Sequence, residues 1–482
     1  MTGEPAPLTR WGDLPVGPGA SGARRPALAT GLARFAHGLS RPDIAGSAAS
    51  HAAVLTLDAV GCALAGWAAE ETPQALRAAR CLGGPGLATV MGAAAPASLI
   101  GSVLANAYLT TAVTACDVYT PAHCHLTPEV VPAALAVAEA EHVSGRSFLT
   151  AVAAGLEVAS RLLRAIDYAE FRRRGWHAPG VIGPIGAAVA AGRLLGLDSG
   201  RLRTAISLAV SQAAGTFAAW PTTAVKFHQA RGAVAGLLAA RLAAEGFAAS
   251  PEPFEAADGG LFASYSPGDA AVALADLPGV WELEQISVRL WPGATPVQSL
   301  LTALLASGRP LPPAADLARV EIRVPPATYR AHRDVAHPAG CFEALLSFHY
   351  VAAATIAHGR FGIDLTDPPH REDPDLTAFI GQRVAFGPDP TVPRGGVEVV
   401  MTGQDGTTEV IRQEHALGTA QFPATRAQIE DKFLQGAQTR LAPAAAEELL
   451  AMLSHLDDVG DCADLVRLTR PPPAGARPVA SR

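Results

Sequence analysis

Apolar residues recur at helical spacing through most of the chain and change to strand spacing in one later part. From about Ala27 to Phe247, alanine-rich segments such as PAALAVAEAEH (132–142) and GLLAARLAAEG (236–246) follow one another with short Gly/Pro-containing breaks. Apolar positions three to four residues apart are typical of helices packed against a core. The pattern therefore predicts a large α-helical domain.

The periodicity changes near Asp276. Alternation typical of β-strands runs through WELEQISVRLW (281–291), ARVEIRV (318–324) and GVEVVMT (396–402), and Asp405-Gly406 indicates a turn before TEVIR (408–412). Apolar helical segments at 298–305 and 341–357 lie between them, and the helical pattern returns after 420. We predict a mainly α fold in which an all-helical domain (25–279 and 421–470) is interrupted by a smaller α/β unit (280–420).

Composition narrows the class of protein. Hydrophobic residues make up 49% of the 482 residues and charged residues 17%, with a formal net charge of −7. No basic patch with interleaved aromatic residues is present, which argues against nucleic-acid binding. The six cysteines lack CxxC spacing, which favours reduced thiols in a cytoplasmic protein.

The chain ends and the apolar runs argue against targeting to a membrane. Residues 1–24 are rich in Pro and Gly without the apolar segment of a signal peptide, and 471–482 are rich in Pro, so both ends are predicted to be flexible. The apolar run 181–197 (VIGPIGAAVAAGRLLGL) is interrupted by Arg193. We interpret such runs as buried helices of a large core.

A cationic cluster begins the helix predicted after residue 225. Lys226, His228 and Arg231 precede the apolar run that ends near Phe247. A helix N-terminus attracts anions through its free N–H groups and its dipole. The cluster therefore indicates either a pocket for a small carboxylate or a solvated first turn.

Several segments in this order resemble one known family. They are VVPAALAVAEA (130–140), KFHQARGAVAGLLAARLAAEGF (226–247), FEAADGGLFASYS (254–266), FEALLSFHYVAAATIAHGRF (342–361) and DKF (431–433). Over residues 27–468 the chain resembles the MmgE/PrpD family, which includes 2-methylcitrate dehydratase, cis-aconitate decarboxylase and iminodisuccinate epimerase. The resemblance implies a helical domain with an inserted α/β lid, an active site between them, a homodimer, and action on small di- or tricarboxylates without a metal or organic cofactor.

The resemblance also assigns site positions in the first half of the chain. His125 stands seven residues before Pro132, as the family histidine does, and Asp117 and Thr120 take the acid and hydroxyl of a loop that is one residue shorter here. His177 matches a histidine that precedes a proline and a glycine-rich helix.

Two further segments depart from the family pattern. His228 takes the family histidine, but Val225 falls at the family lysine and Lys226 lies one place later. Arg289 replaces a lysine three residues before Pro292, and the histidine that usually follows this proline is absent. Arginine can clamp a carboxylate but cannot serve as an acid or base near neutral pH.

The family chemistry is proton transfer at a carbon next to a carboxylate. Such a reaction needs a base of near-neutral pKa and fixed cations around the developing charge. We assign catalysis to His125, His177, Lys226 and Asp117. We assign substrate binding to Thr120, His228, Arg231, Arg289 and Tyr265.

These assignments predict a lyase, either a dehydratase or a decarboxylase, with an altered substrate. An epimerase is the next enzyme class. A non-catalytic scaffold that binds a carboxylate is an alternative, since three of the four site segments are changed. A metal-dependent hydrolase using His123, His125 and Asp117 is a third alternative, although this set lacks a full complement of zinc ligands.

Overall fold

The computed structural model describes residues 27–471, except Pro221 and Pro278. The predicted flexible arm (1–24) and, apart from Pro471, the predicted tail (471–482) lie outside the described residues. Helices dominate, and the strands form one two-stranded and one four-stranded sheet. The predicted mainly α fold with a small α/β part is confirmed.

The first group of helices ends before residue 280. Its members are α1 (Leu28–Gly38), α2 (Gly46–Ala65), α3 (Thr72–Gly83), α4 (Leu99–Ala112), α5 (Thr127–Ala140), α6 (Gly145–Ala165), α7 (Tyr168–Arg173), α8 (Ala178–Leu194), α9 (Ser199–Ser211), α10 (Ala224–Ala244), α11 (Leu261–Ser264) and α12 (Ala270–Leu274).

The remaining helices form two further groups. In the α/β part they are α13 (Val297–Leu305), α14 (Pro326–His332), α15 (Cys341–Ala344), α16 (Phe348–His358), α17 (Pro368–Arg371) and α18 (Pro374–Arg383). After it come α19 (Arg426–Ala437), α20 (Pro443–Ser454) and α21 (Cys462–Leu468).

Side-chain caps set several of these helix ends. Ser144 accepts a hydrogen bond from the backbone N–H of Ser147 at the start of α6, and Thr425 forms a capping box with Gln428 at the start of α19. A cap satisfies backbone N–H groups that a helix leaves free at its first turn. Ser347 caps α16 in the same way, which splits the single helix predicted at 341–357 into α15 and α16.

Two hydrophobic cores divide the chain. The larger is built by residues between 28 and 288 together with residues between 429 and 466. The smaller is built by residues between 294 and 401, joined by Val225. Both ends of the described chain therefore share one core, and the smaller core belongs to an insertion, which we call the lid.

The lid sheet has the order β4-β3-β5-β6, from β3 (Leu317–Val324), β4 (Val384–Pro388), β5 (Val397–Gly403) and β6 (Thr408–Gln413). The strands predicted at 318–324, 396–402 and 408–412 are present. Strand β4 pairs in parallel with β3 and was missed, because the short segment VAFGP shows little alternation and ends in Gly-Pro.

The strand predicted at 281–291 is wrong for most of its length, and so is its assignment to the α/β unit. Residues Glu282–Gln285 form a helical turn, and the backbone N–H groups of Glu282 and Leu283 donate to the Glu157 carboxylate at 3.1 and 2.9 Å. Only β2 (Ile286–Ser287) is extended, and it pairs antiparallel with β1 (Val118–Tyr119). Residues 281–288 thus pack in the larger core, and the other predicted boundaries stay predictions.

One helical stretch among the described residues, Gly46–Ala68, is long and apolar enough by length and composition to cross a membrane. In its most apolar window 72% of the residues are buried inside the protein. This is the arrangement of a core helix, and such a helix passes the same test as a membrane span.

A buried ion pair joins the two ends of the chain. The Lys432 ammonium of α19 donates to the Asp58 carboxylate of α2 and, at 2.8 Å, to the carbonyl oxygen of Ala115. Burial raises the pKa of Asp58, whereas Lys432 opposes that rise. Lys432 therefore offsets part of the cost of burying the Asp58 carboxylate.

Replacing Lys432 with methionine is expected to lower the free energy of unfolding by about 3–5 kcal/mol, because Asp58 would remain buried without a partner. Urea denaturation followed by circular dichroism measures this loss. Arg467→Met is the control: Arg467 pairs with Asp464 on the surface and should matter by no more than about 1 kcal/mol. An equal decrease in the free energy of unfolding of the two variants would contradict the claim that the buried pair stabilises the protein more than the surface pair does.

Candidate active site

The loop between β1 and α5 is anchored by Asp117. Its carboxylate accepts hydrogen bonds from the backbone N–H groups of Leu126 (2.9 Å) and Thr127 (3.1 Å), and from the Thr127 hydroxyl. Asp117 is fully buried, and burial raises its pKa against the lowering effect of His125 and these donors. Its oxygens thus hold the start of α5, which gives Asp117 a positioning role; its catalytic role stays a prediction.

His125 lies at the end of this loop with one ring nitrogen free of protein partners among the described residues. Its Nδ1 is 2.6 Å from the carbonyl oxygen of Asp117. Because a carbonyl only accepts, Nδ1 carries the hydrogen and Nε2 keeps its lone pair. Burial, and then the positive charge of Arg289, lower the pKa of His125 to about 4. At neutral pH the ring is therefore uncharged and its Nε2 can accept a proton.

His177 and His228 form a second histidine element. Their Nδ1 atoms are 3.0 Å apart, so one nitrogen donates and the other accepts. His177 precedes the first residue of α8, and its backbone N–H donates to Gly215 at 2.9 Å. Burial is the main cause that lowers the pKa of His177, and His228 and His125 lower it further. The two rings thus share a hydrogen bond as neutral groups.

Lys226 and Arg289 are buried cations without an acidic partner. Each is 3% exposed. Lys226 donates to the carbonyl oxygen of Ala112, and Arg289 donates to the carbonyl oxygens of Cys116 (2.6 Å) and Gly293 (2.9 Å). The buried cations Arg161 and Lys432, by contrast, are paired with Glu157 and Asp58.

Within the described residues no carboxylate forms an ion pair with Lys226 or Arg289. Buried charges are normally paired, because an isolated one is costly to remove from water. Both side chains also retain N–H groups beyond those that bind carbonyls. The arrangement is suited to receive an anion.

Mutual electrostatic effects indicate that these groups lie near one another. Burial is the main cause that lowers the pKa values of His125, Lys226 and His177; Arg289 lowers those of His125 and Lys226 further, and His125 lowers that of His177 further. The connection is structural as well, since β2 pairs with β1 and Arg289 follows two residues after β2 to contact Cys116. Arg289 therefore lies against the loop that carries His125.

Three predicted substrate-binding residues are engaged elsewhere. The Arg231 guanidinium donates to the carbonyl oxygens of Gln212 (2.9 Å), Gly180 (2.7 Å) and Ala214 (2.9 Å). The Tyr265 hydroxyl donates to Ala213 at 2.6 Å, and the Thr120 hydroxyl is 2.6 Å from that of Ser287. Arg231 and Tyr265 thus hold the 212–214 turn beside His177, while Thr120 ties the loop to β2.

Comparison with known proteins agrees with this architecture. The model of the MmgE/PrpD N-terminal domain matches residues 30–273, and that of the MmgE/PrpD C-terminal domain matches residues 292–458. The chain belongs to the MmgE/PrpD family.

Curated relatives of this MmgE/PrpD protein are decarboxylases. Human cis-aconitate decarboxylase is 28% identical over 371 residues, which cover 74% of this chain and 76% of the relative. The Aspergillus terreus cis-aconitate decarboxylase is 26% identical over 273 residues, covering 54% and 56%. A cis-aconitate decarboxylase-like protein of Aspergillus oryzae is 30% identical over 239 residues, covering 48% and 50%. The family and these relatives support an enzyme of the lyase type.

The three residues named for the metal-hydrolase alternative have separate surroundings in this MmgE/PrpD protein. His123 is exposed, and both Asp117 and the Nδ1 of His125 are already hydrogen-bonded. Among residues 27–471, with Pro221 and Pro278 left aside, no group of three or more His, Cys, Asp or Glu side chains is placed to hold a metal ion.

A cavity of about 630 Å³ lies beside the candidate site. It is lined by Asp58 and Lys432 of the larger core and by the lid segment 359–364, among others, and includes none of the predicted site residues. Val113 and Ala115, which precede the His125 loop, form part of its wall. The cavity therefore backs onto the loop. The candidate site is identified instead by the histidines, which can transfer protons, and by the unpaired cations, which can bind an anion.

Sequence reasoning missed two kinds of residue near the site. Glu129 is fully buried in α5 with neither carboxyl oxygen hydrogen-bonded, and burial raises its pKa. Phe217 and Trp220 stack with their ring centroids 5.9 Å apart, and Phe217 is 5.9 Å from His177. Their position just before Lys226 was the available signal, but isolated aromatic residues in a turn do not reveal what they face.

Proposed function

We propose that this protein is a cofactor-independent lyase of the dehydratase or decarboxylase type, acting at a carbon next to a carboxylate of a small carboxylate substrate. The observation that carries this proposal is the pair of buried cations without acidic partners, Lys226 and Arg289, of which Arg289 lies against the loop that carries the neutral His125. A bound carboxylate would supply their missing negative charge. The decarboxylase relatives support the same reaction class.

In this proposal His125 Nε2 is the group that exchanges a proton with substrate. In a dehydration it takes the proton from the carbon next to the carboxylate, and the electron pair forms the double bond as hydroxide leaves with a second proton. Lys226 and Arg289 hold the carboxylates and stabilise the enediolate charge that develops. His177, hydrogen-bonded to His228, is the candidate donor of the second proton, which it must first take up from solvent; the negative charge of the bound substrate favours that uptake.

In a decarboxylation the same groups act in a different order. The bond from carbon to the carboxylate breaks, carbon dioxide leaves, and the electron pair stays on carbon. A histidine then delivers one proton to that carbon, so it must be protonated beforehand, which the negative charge of a bound substrate favours. The homodimer and the cytoplasmic location expected from the sequence remain proposals.

Proton NMR in D2O tests the reaction class. The panel comprises citrate, 2-methylcitrate, cis-aconitate, iminodisuccinate and 2-alkyl- and 2-arylmalates. We expect deuterium incorporation, loss of water or loss of carbon dioxide with at least one compound. Calorimetric binding of a panel member without any of these changes would instead show a carboxylate-binding scaffold.

A further inference from the structure

We propose that the site selects a dicarboxylate with an apolar substituent in preference to a tricarboxylate. This inference rests on the proposed function, since it names the substrate class of the same site. It is carried by two features: the small number of unpaired cations, and a series of aromatic rings beside them.

The cations available for carboxylates are few. Lys226 and Arg289 are buried without acidic partners, whereas Arg231 donates to three backbone carbonyls. Arg172 donates to the carbonyl oxygen of Trp176 at 2.5 Å, and its guanidinium lies 3.3 Å from the centre of the Phe217 ring. Among the described residues, the two buried cations without acidic partners match two carboxylates.

The histidines do not replace a third cation. His125, His177 and His228 all have lowered pKa values, with burial as the main cause. In the protein without ligand, a third carboxylate would therefore meet rings that carry no fixed positive charge. Protonating a further histidine to receive it would have a free-energy cost that the two fixed cations do not impose.

The aromatic rings extend from the cations to the histidines. The Lys226 ammonium is 4.7 Å from the centre of the Phe342 ring, which meets Trp220 edge-on at 5.9 Å. Trp220 stacks on Phe217 at 5.9 Å, and Phe217 is 5.9 Å from the ring of His177. We call Phe342, Trp220 and Phe217 the aromatic wall.

The aromatic wall joins the lid to the helical domain. Phe342 belongs to the smaller core and Trp220 packs against that core, whereas His177 precedes α8 in the helical domain. Phe217 and Trp220 are partly exposed, so they offer apolar surface between the two ends of the site. A substrate with one carboxylate at Lys226 and its reacting carbon near the histidines would lay its substituent along this surface.

A matched pair of ligands tests the preference. Benzylsuccinate and tricarballylate share a succinate core, and a phenyl group in one replaces a carboxylate in the other. Isothermal titration calorimetry with the wild-type protein should give at least a tenfold lower Kd for benzylsuccinate, the scale on which apolar pockets discriminate. Equal or tighter binding of tricarballylate would overturn the proposal.

Variants of the aromatic wall test whether these rings cause the preference for benzylsuccinate. Trp220→Ala should raise the Kd of benzylsuccinate about tenfold and leave that of tricarballylate unchanged, and Trp220→Phe should restore part of the loss. Phe247→Ala, at a side chain 59% exposed beyond α10, is the control and should change neither value. Circular dichroism verifies that each variant folds, and an equal change for both ligands in folded Trp220→Ala would contradict the wall.

The NMR experiment separates this inference from the proposed function. Turnover combined with a preference for tricarballylate would overturn the inference and keep the function. A preference for benzylsuccinate without turnover of any panel compound would overturn the function and keep the binding preference.

Discussion

Replacing His125 with alanine is expected to lower kcat/KM by about 10²–10⁴-fold, the usual contribution of a positioned acid or base. The reason is geometric: the Asp117 carbonyl fixes the hydrogen on Nδ1, which leaves Nε2 as the proton acceptor. Rates are measured by NMR with the panel compound that the wild-type protein converts best. In the described structure the His125 ring makes one hydrogen bond, to the backbone carbonyl of Asp117. The loss of transition-state stabilisation should therefore exceed the loss in the free energy of unfolding.

A neighbouring histidine provides the control for that variant. His123 is exposed and has a left-handed backbone with φ of 43°, which asparagine also adopts readily. His123→Asn should therefore retain the wild-type rate. Unchanged kinetics in His125→Ala, or equal losses in both variants, would contradict the role given to His125.

The pH profile adds an independent measurement. With its pKa lowered to about 4, His125 of the free enzyme accepts a proton throughout the neutral range and loses this ability as the pH falls through about 4. For a reaction that starts with proton removal, kcat/KM should stay level between pH 6 and 8 and decline only near that value. An ordinary histidine would place the decline near pH 6.5.

Replacing Lys226 with methionine is expected to weaken substrate binding and to stabilise the free protein at once. Loss of the ammonium removes a charge-assisted contact, so kcat/KM should fall about 100-fold or more. The same change removes a buried cation that has no acidic partner and contacts the Ala112 carbonyl and the face of the Phe342 ring. Since desolvating such a charge costs several kcal/mol and one bond to it returns less, the free energy of unfolding should rise by about 1–2 kcal/mol.

Chemical denaturation and kinetics on the same preparations test both halves. Arg201→Met, an exposed substitution on α9, should alter the unfolding free energy by less than about 0.5 kcal/mol and leave the rate unchanged. A Lys226→Met protein that is less stable yet fully active would show that Lys226 serves the fold. A decrease in kcat/KM together with an increase in the free energy of unfolding would instead show that Lys226 serves to bind an anion.

The sequence predicts most helices because their signals are local. Ser144 caps α6, and the apolar spacing between Gly145 and Ala165 belongs to that single helix, so both signals lie within one stretch of sequence. The strands at 317–324 and 397–403 also follow their alternation. The strand prediction for 281–291 failed because the backbone N–H groups of Glu282 and Leu283 bind the carboxylate of Glu157, which is distant along the chain.

The site is harder to predict because partners decide the role of each polar group. The positions of His125, His177 and Arg289 could be identified from their segments, and the structure brings them together. The tasks of Asp117 and Arg231 could not, since these depend on which backbone groups the fold leaves nearby. Lys226, one place from the family lysine position, still lies among the site residues beside Arg289.

The two-residue pairing of β1 with β2 also limits how this protein can be recombined with its relatives. Val118 pairs with Ser287 and Tyr119 with Ile286, while Arg289 reaches back to Cys116. A chimera joined between residues 280 and 289 would replace the strand that supports the His125 loop. Two crossovers, one after Arg289 and one near residue 420, would exchange the lid with Phe342 of the aromatic wall and keep the histidines and both chain ends of the helical domain.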